Sequence, residues 1–244
     1  NQYRYCRNII KSINKNKINK NRFLIIGSIN NNKILDEEKM NKFIVFEGLD
    51  ACGKTTLSSL YAKEMNTIVH NAVVPEAHDL RKVIDSYESK ESAFLFFLLN
   101  NLLKSNEVSK ALNDEDVILD RYVFSTLAYQ TIMLGEDIVK NIFDTLKINN
   151  KILLPEVIIF VKADIETINN RIETRGGTVQ WYGDAVTQNN SVEPAYHKVF
   201  KWFDIPILEV DTSEKYGRSV EENYILMKDQ VEHVLSGGSN LYSF

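Results

Sequence analysis

The stretch GLDACGKT, residues 48–55, decides the fold of this chain, because it fits the pattern G-x-x-x-x-G-K-[ST]. It follows a short apolar run, FIVF at residues 43–46, which is typical of a buried strand in a parallel sheet. It precedes a pattern in which apolar side chains recur on one face of a helix. A strand, a glycine-rich loop and a helix in this order predict a phosphate-binding loop and a bound nucleoside triphosphate.

The residue types of this loop match the chemistry of a triphosphate. Glycines let the backbone turn its N–H groups toward phosphate oxygens, and the helix N-terminus adds partial positive charge. Lys54 is expected to reach the β and γ phosphates, and Thr55 to offer a hydroxyl to Mg²⁺. The residues expected to contact the nucleotide here are Gly48, Asp50, Ala51, Cys52, Gly53, Lys54, Thr55 and Thr56.

Composition narrows the class of protein further. With 244 residues, 44% of them hydrophobic, the chain can form one large α/β domain with an appendage. A net charge of -4 gives no reason to expect a nucleic-acid partner. Cys6 and Cys52 lie too far apart for a disulfide framework, and no apolar stretch is long enough for a membrane span. We therefore expect a soluble, cytoplasmic protein with no membrane partner.

Residues 1–39 differ in composition from the rest of the chain, since they are rich in Asn, Lys and Ile and hold no acidic residue before Asp36. Three interpretations stay open: a disordered or artefactual extension, a mitochondrial transit peptide, and a basic arm for phosphates or acidic lipids. The transit peptide would make the location mitochondrial. Met40, just before the first strand, is a candidate start of the functional chain. The expected divisions are the extension 1–39, a phosphate-loop domain 40–236 and a tail 237–244.

Beyond Met40, strand-like and helix-like segments alternate, which indicates a parallel sheet with helices on both faces. The predicted fold is the α/β, three-layer phosphate-loop NTPase fold, with five parallel strands and a small lid. The predicted strands are 43–47, 67–74, 116–120, 156–162 and 207–211. The predicted helices are 55–65, 90–112, 123–133, 136–148, 164–174, 191–203 and 218–235.

A second motif, VILDRY at residues 117–122, is an apolar strand that ends in a carboxylate. At the carboxyl edge of the sheet, Asp120 is placed to face Mg²⁺, although it could instead cap the helix that begins near Val123. Arg121 beside it can clamp a second phosphate group through two parallel hydrogen bonds. Two phosphate groups held face to face are typical of a kinase.

Three segments together resemble the thymidylate kinases: EGLDACGKTT, ILDRYVFSTLAYQ and PEVIIFVKADIETINNRIETRGG. The resemblance spans most of residues 40–235, although only these three segments anchor it. It implies that Lys54 and the loop amides hold ATP, and that Thr55 and Asp120 organise Mg²⁺. It also implies that Asp50 lies near the acceptor, that Arg121 binds the acceptor phosphate, and that Tyr129 lies against the sugar and favours deoxyribose.

In the same family, Arg171 and Arg175 correspond to lid arginines that close over the transferred phosphoryl group. Some members carry an arginine in the phosphate loop, where this chain has Ala51 and Cys52, so Arg175 is our first choice for a catalytic arginine. The predicted catalytic residues are Asp50, Lys54, Arg121 and Arg175.

The base-binding segment departs from the family pattern. Phe97 corresponds to the residue that stacks on the base, but Asn101 replaces the usual arginine. An Asn side chain both donates and accepts, so it fits uracil, thymine or cytosine. Alternatively, this Phe- and Leu-rich run is simply a helix packed under the sheet. Arg81 is a further candidate for acceptor contacts.

These observations predict transfer of the γ-phosphoryl group of ATP to a pyrimidine deoxynucleoside monophosphate, with dTMP giving dTDP. The alternatives are a UMP-CMP or dUMP kinase of the same group, a deoxynucleoside kinase, and a homologue that binds nucleotides without turnover. The expected partners are small nucleotides, and the family resemblance implies a homodimer.

Overall fold

A computed structural model describes residues 41–86, 89–176 and 184–238, without the side chains of residues 149 and 188. The extension 1–39, most of the tail 237–244 and the part of the expected lid at 177–183 lie outside the described residues. The boundaries proposed for these segments stay predictions.

Five parallel strands form one sheet in the order β2-β3-β1-β4-β5. The strands β1, β3 and β4 are almost wholly buried, in agreement with their continuous apolar sequences. Register is set across the centre, where Phe46 pairs with Asp120 on one side and with Ile159 on the other. The five strands are β1 Phe43–Gly48, β2 Val69–Asn71, β3 Val117–Asp120, β4 Val157–Lys162 and β5 Ile207–Asp211.

The helices connect these strands and pack against the sheet. Three of them begin with side-chain caps: Ser89 accepts from the Ser92 N–H before α3, Asp164 accepts from the Thr167 N–H before α6, and Ser219 forms a capping box with Glu222 before α8. The helices are α1 Lys54–Glu64, α2 His78–Ser86, α3 Lys90–Ala111, α4 Val123–Leu134, α5 Glu136–Thr145, α6 Ile165–Thr174, α7 Glu193–Phe200 and α8 Val220–Leu235. Shorter helical turns lie at Pro75–Ala77, Ile148–Asn150, Ala185–Thr187, Gln188–Val192 and Glu214–Tyr216.

Two groups of helices cover the sheet. Helix α4 packs against α3, α5 and α7, whereas α1 packs against α8. One hydrophobic core joins the buried strands to both groups, with Phe46, Leu57 and Phe160 among its members. The predicted class, a parallel five-stranded α/β sheet with helices, is confirmed.

The structure corrects two elements near the predicted acceptor site. The second strand was expected over 67–74 but covers only Val69–Asn71, because the Asn100 side chain binds the Ala72 carbonyl and the Val74 N–H and turns the chain away. Helix α2 was not predicted. None of its residues is buried, although Leu80, Val83 and Ile84 recur at the spacing of one helix face.

Candidate active site

Two glycines give the loop between β1 and α1 its shape. Gly48 has φ 144°, and a Cβ there would lie 1.9 Å from the Val161 carbonyl oxygen on the neighbouring strand. Gly53 has φ 89°, a left-handed conformation, immediately before α1 begins. No other residue type fits these two positions without strain, which explains the spacing of the glycines in the motif.

Partners outside the loop fix the direction of its peptide groups. The Ala51 carbonyl accepts from Arg171 Nη1 at 3.3 Å, and the Cys52 carbonyl accepts from Thr212 Oγ1 at 2.6 Å. Because the C=O and the next N–H of a trans peptide point in opposite directions, the Cys52 and Gly53 amides face the other side, into the loop. The Cys52 thiol is buried and donates to the Leu49 carbonyl. The backbone N–H of Cys52, and not its thiol, therefore faces the inside of the loop.

Lys54, Thr55 and Asp120 meet where β1 and β3 end. Lys54 Nζ lies 3.0 Å from Asp120 Oδ1, and Thr55 Oγ1 donates to Asp120 Oδ2 at 2.8 Å. The motif after β1 and the motif after β3 are thus brought together at one edge of the sheet, as their sequences predict.

Arg121 stands beside this edge, in a left-handed backbone conformation with φ 72°. Its Nη2 donates to Asp50 Oδ1 at 2.5 Å, and its Nη1 donates to Tyr196 Oη at 3.0 Å and to Ser125 Oγ at 3.3 Å. Burial disfavours its charge, but Tyr129, Tyr196 and Asp50 outweigh this effect and keep the Arg121 pKa above its ordinary value. The guanidinium is therefore a fixed positive charge next to the phosphate loop.

A cavity of about 340 Å³ opens next to Arg121 and is lined by α2, α3, α4 and the chain after β2. Phe97 lines it, with the Arg81 guanidinium 4.5 Å from its ring centroid and paired with Asp85. Tyr129 also lines it, with its ring centroid 5.7 Å from the Arg121 guanidinium carbon, and burial raises the Tyr129 pKa to about 12. A volume of this size accommodates a small ligand.

Asn101 also lines the cavity but is already engaged. It is 2% exposed, and its Nδ2 donates to Thr126 Oγ1 at 2.9 Å. Because the Asn101 amide donates to Thr126, the Thr126 hydroxyl is oriented by a protein partner. The predicted direct contact between Asn101 and a base stays a prediction.

Comparison with known proteins agrees with this arrangement. Residues 46–223 match the family model described as Thymidylate kinase. The chain belongs to the thymidylate kinase family. A probable thymidylate kinase of Methanococcus vannielii is 29% identical over 163 residues, which cover 66% of this chain and 78% of the relative.

Solved structures extend the likeness of this thymidylate kinase family member to the fold. A thymidylate kinase from Candida albicans aligns with a TM-score of 0.61 and 19% identity, over 84% of this chain and 99% of its own. A deoxyadenosine kinase from M. mycoides aligns with a TM-score of 0.56 and 18% identity, over 78% and 98%. Family membership confirms the resemblance and the enzyme class, a nucleoside monophosphate kinase.

The two lid candidates of this kinase occupy different environments. Arg171 Nη2 donates to the Thr212 carbonyl at 2.8 Å and its Nη1 to Thr212 Oγ1 at 3.0 Å, in addition to the loop contact with Ala51. Arg175 is exposed at the end of α6, next to residues outside the described part of the chain. Arg171 therefore holds the phosphate loop from outside, whereas the Arg175 side chain is exposed to solvent.

Sequence reasoning missed several residues of the kinase site. Ser125 and Tyr196 bind the Arg121 guanidinium, and Glu47 binds both of their hydroxyls. Thr126 and Gln130 line the cavity. Glu47 left one signal in the sequence, since a carboxylate inside an apolar strand must have a buried partner. Tyr196 left none, because it comes from α7, 75 residues after Arg121 along the chain.

Proposed function

We propose that this kinase transfers the γ-phosphoryl group of ATP to the phosphate of dTMP and so forms dTDP. The observation that carries the proposal is Arg121, a fixed guanidinium between the phosphate loop and the cavity. Its contact with Asp50 ties it to the loop, and its proximity to Tyr129 ties it to the cavity. A donor triphosphate in the loop and an acceptor monophosphate in the cavity would meet at this charge.

On the donor side, the loop amides and Lys54 would bind the ATP phosphates. Thr55 and Asp120 supply a hydroxyl and a carboxylate, the hard oxygen ligands that Mg²⁺ prefers, and their oxygens lie 2.8 Å apart. No group of three or more acidic, His or Cys side chains in the described residues could hold an ion alone. We infer that these two residues hold Mg²⁺ together with the nucleotide. The ion, when bound, neutralises charge on the phosphate oxygens.

On the acceptor side, Phe97 and Tyr129 would enclose the base and the sugar, and Arg81 lies over the Phe97 ring. Gln130 is 3% exposed, lines the cavity, and its Oε1 accepts no hydrogen bond from the described residues. This orphaned acceptor fits the N3–H of thymine or uracil, whereas cytosine presents an acceptor at N3. It therefore favours dTMP or dUMP over dCMP.

The residues divide the work of transfer between binding and orientation. Arg121 would hold the acceptor phosphate, Asp50 would fix Arg121, and Lys54 would hold the donor phosphates, so that the two phosphate groups are aligned. Arg175 would approach the transferred group from α6 and offset charge on its equatorial oxygens. Phosphoryl transfer needs little covalent help from side chains, so alignment and charge account for most of the rate.

A coupled ADP-release assay on the full chain, with ATP and Mg²⁺, tests the proposal. The acceptors are dTMP, dUMP, dCMP, UMP, CMP and thymidine, and we expect dTMP to give the highest kcat/KM. Preference for another pyrimidine monophosphate would identify the UMP-CMP or dUMP branch. Turnover of thymidine alone would identify a nucleoside kinase, the activity of the fold neighbour from M. mycoides, and no turnover would leave a nucleotide-binding homologue.

We also propose that the kinase forms a homodimer through α3. Leu95, Leu99 and Leu103 lie four residues apart on this helix and are 57%, 52% and 43% exposed. Such a stripe fits a second copy of the same helix. Leu99→Glu should therefore lower the mass measured by light scattering toward 28.1 kDa, the mass of one chain. Ile225→Glu on α8, 55% exposed, is the matched control and should not change the mass. A monomeric wild type would refute the dimer.

No described helix is both long and apolar enough to cross a bilayer. We propose a cytoplasmic location, with the mitochondrion as the alternative if residues 1–39 direct import. A fluorescent protein fused behind residues 1–39 would distinguish the two.

A further inference from the structure

A buried carboxylate lies behind the phosphate clamp. Glu47, in β1, is 0% exposed, and burial raises its pKa, although the Ser125 hydrogen bond and the Arg121 charge oppose this shift. One of its oxygens, Oε1, accepts from the backbone N–H groups of Tyr122 at 2.8 Å and Ser125 at 3.2 Å. This oxygen satisfies the first N–H groups of α4 and so has a structural role.

The other oxygen of Glu47 has different partners. Its Oε2 accepts from Ser125 Oγ and from Tyr196 Oη, the latter at 3.0 Å, and these two hydroxyl oxygens lie 2.7 Å apart. Closing the first turn of α4 needs none of these contacts. Three oxygens from β1, α4 and α7 therefore form one buried cluster, which we call the Glu47 cluster.

The Glu47 cluster ends on Arg121. Both hydroxyls of the cluster accept from Arg121 Nη1, at 3.0 Å for Tyr196 and 3.3 Å for Ser125. Asp50 holds Nη2 of the same guanidinium. Five N–H donors allow an Arg side chain to keep these partners and still bind a phosphate. An unrestrained Arg side chain would lose rotamer entropy on binding a phosphate, and these contacts restrain Arg121 beforehand.

We propose that Tyr196, backed by Ser125 and Glu47, is a positioning residue that aims Arg121 at the acceptor phosphate. The inference rests on the proposed function, because it takes Arg121 as the clamp for that phosphate. Burying a carboxylate under the site is costly. The cluster accounts for this cost, since it holds the Arg121 guanidinium in one orientation before the acceptor arrives. Because Tyr196 lies in α7, the orientation of the Arg121 guanidinium also depends on where α7 packs.

Calorimetric titration of the full chain with dTMP and with thymidine isolates the phosphate contribution to binding. Tyr196→Phe removes one hydroxyl that accepts from a charged donor, so the Kd for dTMP should rise about tenfold while the Kd for thymidine stays unchanged. In steady state, the KM for the acceptor should rise and the KM for ATP should not. Ser125→Ala should act in the same direction.

Tyr224→Phe is the matched control, because Tyr224 also donates to a carboxylate, that of Glu64, but joins α8 to α1. It should change neither Kd, and melting curves should show that all variants fold. Equal losses for dTMP and thymidine would assign Tyr196 to packing and overturn the positioning role. A Tyr196→Phe variant that binds dTMP with the same Kd as the wild type would also overturn the positioning role. If the wild type binds no pyrimidine monophosphate more tightly than its nucleoside, the clamp and the proposed function fail together.

Discussion

The phosphate loop and the acceptor cavity are neighbours that are built in opposite ways. The loop presents backbone amides, and its shape depends on two glycines and on carbonyls held by Arg171 and Thr212. The cavity presents side chains from α2, α3 and α4, and several of them already bind one another. The residue types that the loop needs thus stand within eight residues of sequence, although Arg171 and Thr212 hold its carbonyls, whereas all sides of the cavity depend on the packing of distant elements.

In the proposed function, the loop binds the phosphate donor and the cavity selects the acceptor. Every phosphate group has the same oxygens, so backbone amides suffice to bind the donor. Choosing one acceptor requires side chains of particular shape and polarity, and their arrangement must be fixed by neighbours. We therefore expect changes in the loop to affect all acceptors equally, and changes around the cavity to distinguish among them.

Lys54→Ala gives the largest expected effect and tests the loop. Removing a charge that holds the transferred phosphates should lower kcat about a thousandfold with every acceptor. Lys63→Ala, an exposed lysine on the same helix, is the control and should keep wild-type kcat. Kinetics with two acceptors measure the effect. A loss confined to one acceptor would contradict the division between loop and cavity.

Arg175→Ala and Arg171→Ala, one helical turn apart, form a matched pair for the next effect. Because Arg175 is exposed, Arg175→Ala should lower kcat about a hundredfold without changing thermal stability. Arg171 holds the Ala51 and Thr212 carbonyls, so its loss should cost about 2 kcal/mol of unfolding free energy and raise the KM for ATP. Denaturant unfolding and initial rates measure both. The reverse pattern would make Arg171 the arginine that contacts the phosphoryl group.

The sequence predicts the parts of this molecule that are local in the chain. The strand at Phe43, the loop that ends at Thr55 and the carboxylate Asp120 each follow from a few adjacent residues, and the structure brings them together. The end of β2 could not be predicted, because it depends on the Asn100 side chain, more than 25 residues further along the chain.

Asn101 shows the same limit within the site. Its alignment with a base-binding arginine is a statement about position, whereas its hydrogen bond to Thr126 depends on how α3 packs against α4. Tyr196 depends on α7 in the same way. The residues proposed to contact phosphates are therefore visible in a single sequence, but the side chains that orient them are not.

The smallest expected effect concerns Glu47, the buried carboxyl group at the end of β1, just before the phosphate loop. Because burial raises its pKa, the native state keeps its proton to higher pH than the unfolded chain, whose carboxyl titrates near 4.5. Stability from this group is complete below that pH and is lost as pH rises through the native pKa, by at most about 1.4 kcal/mol per pH unit. Glu47→Gln should remove this loss.

The measurement is the unfolding free energy of the wild type and of Glu47→Gln at a series of pH values on both sides of 4.5. The wild-type advantage over the variant should shrink as pH rises, since all other titrating groups cancel in the difference. Glu64→Gln supplies the opposite sign, because the Lys228 hydrogen bond lowers the Glu64 pKa and stability from that group is lost as pH falls. A wild-type advantage that grows with pH would mean that Glu47 is ionised in the native state. The carboxylate would then hold Arg121 by its charge, and the two hydroxyls would only relay that attraction.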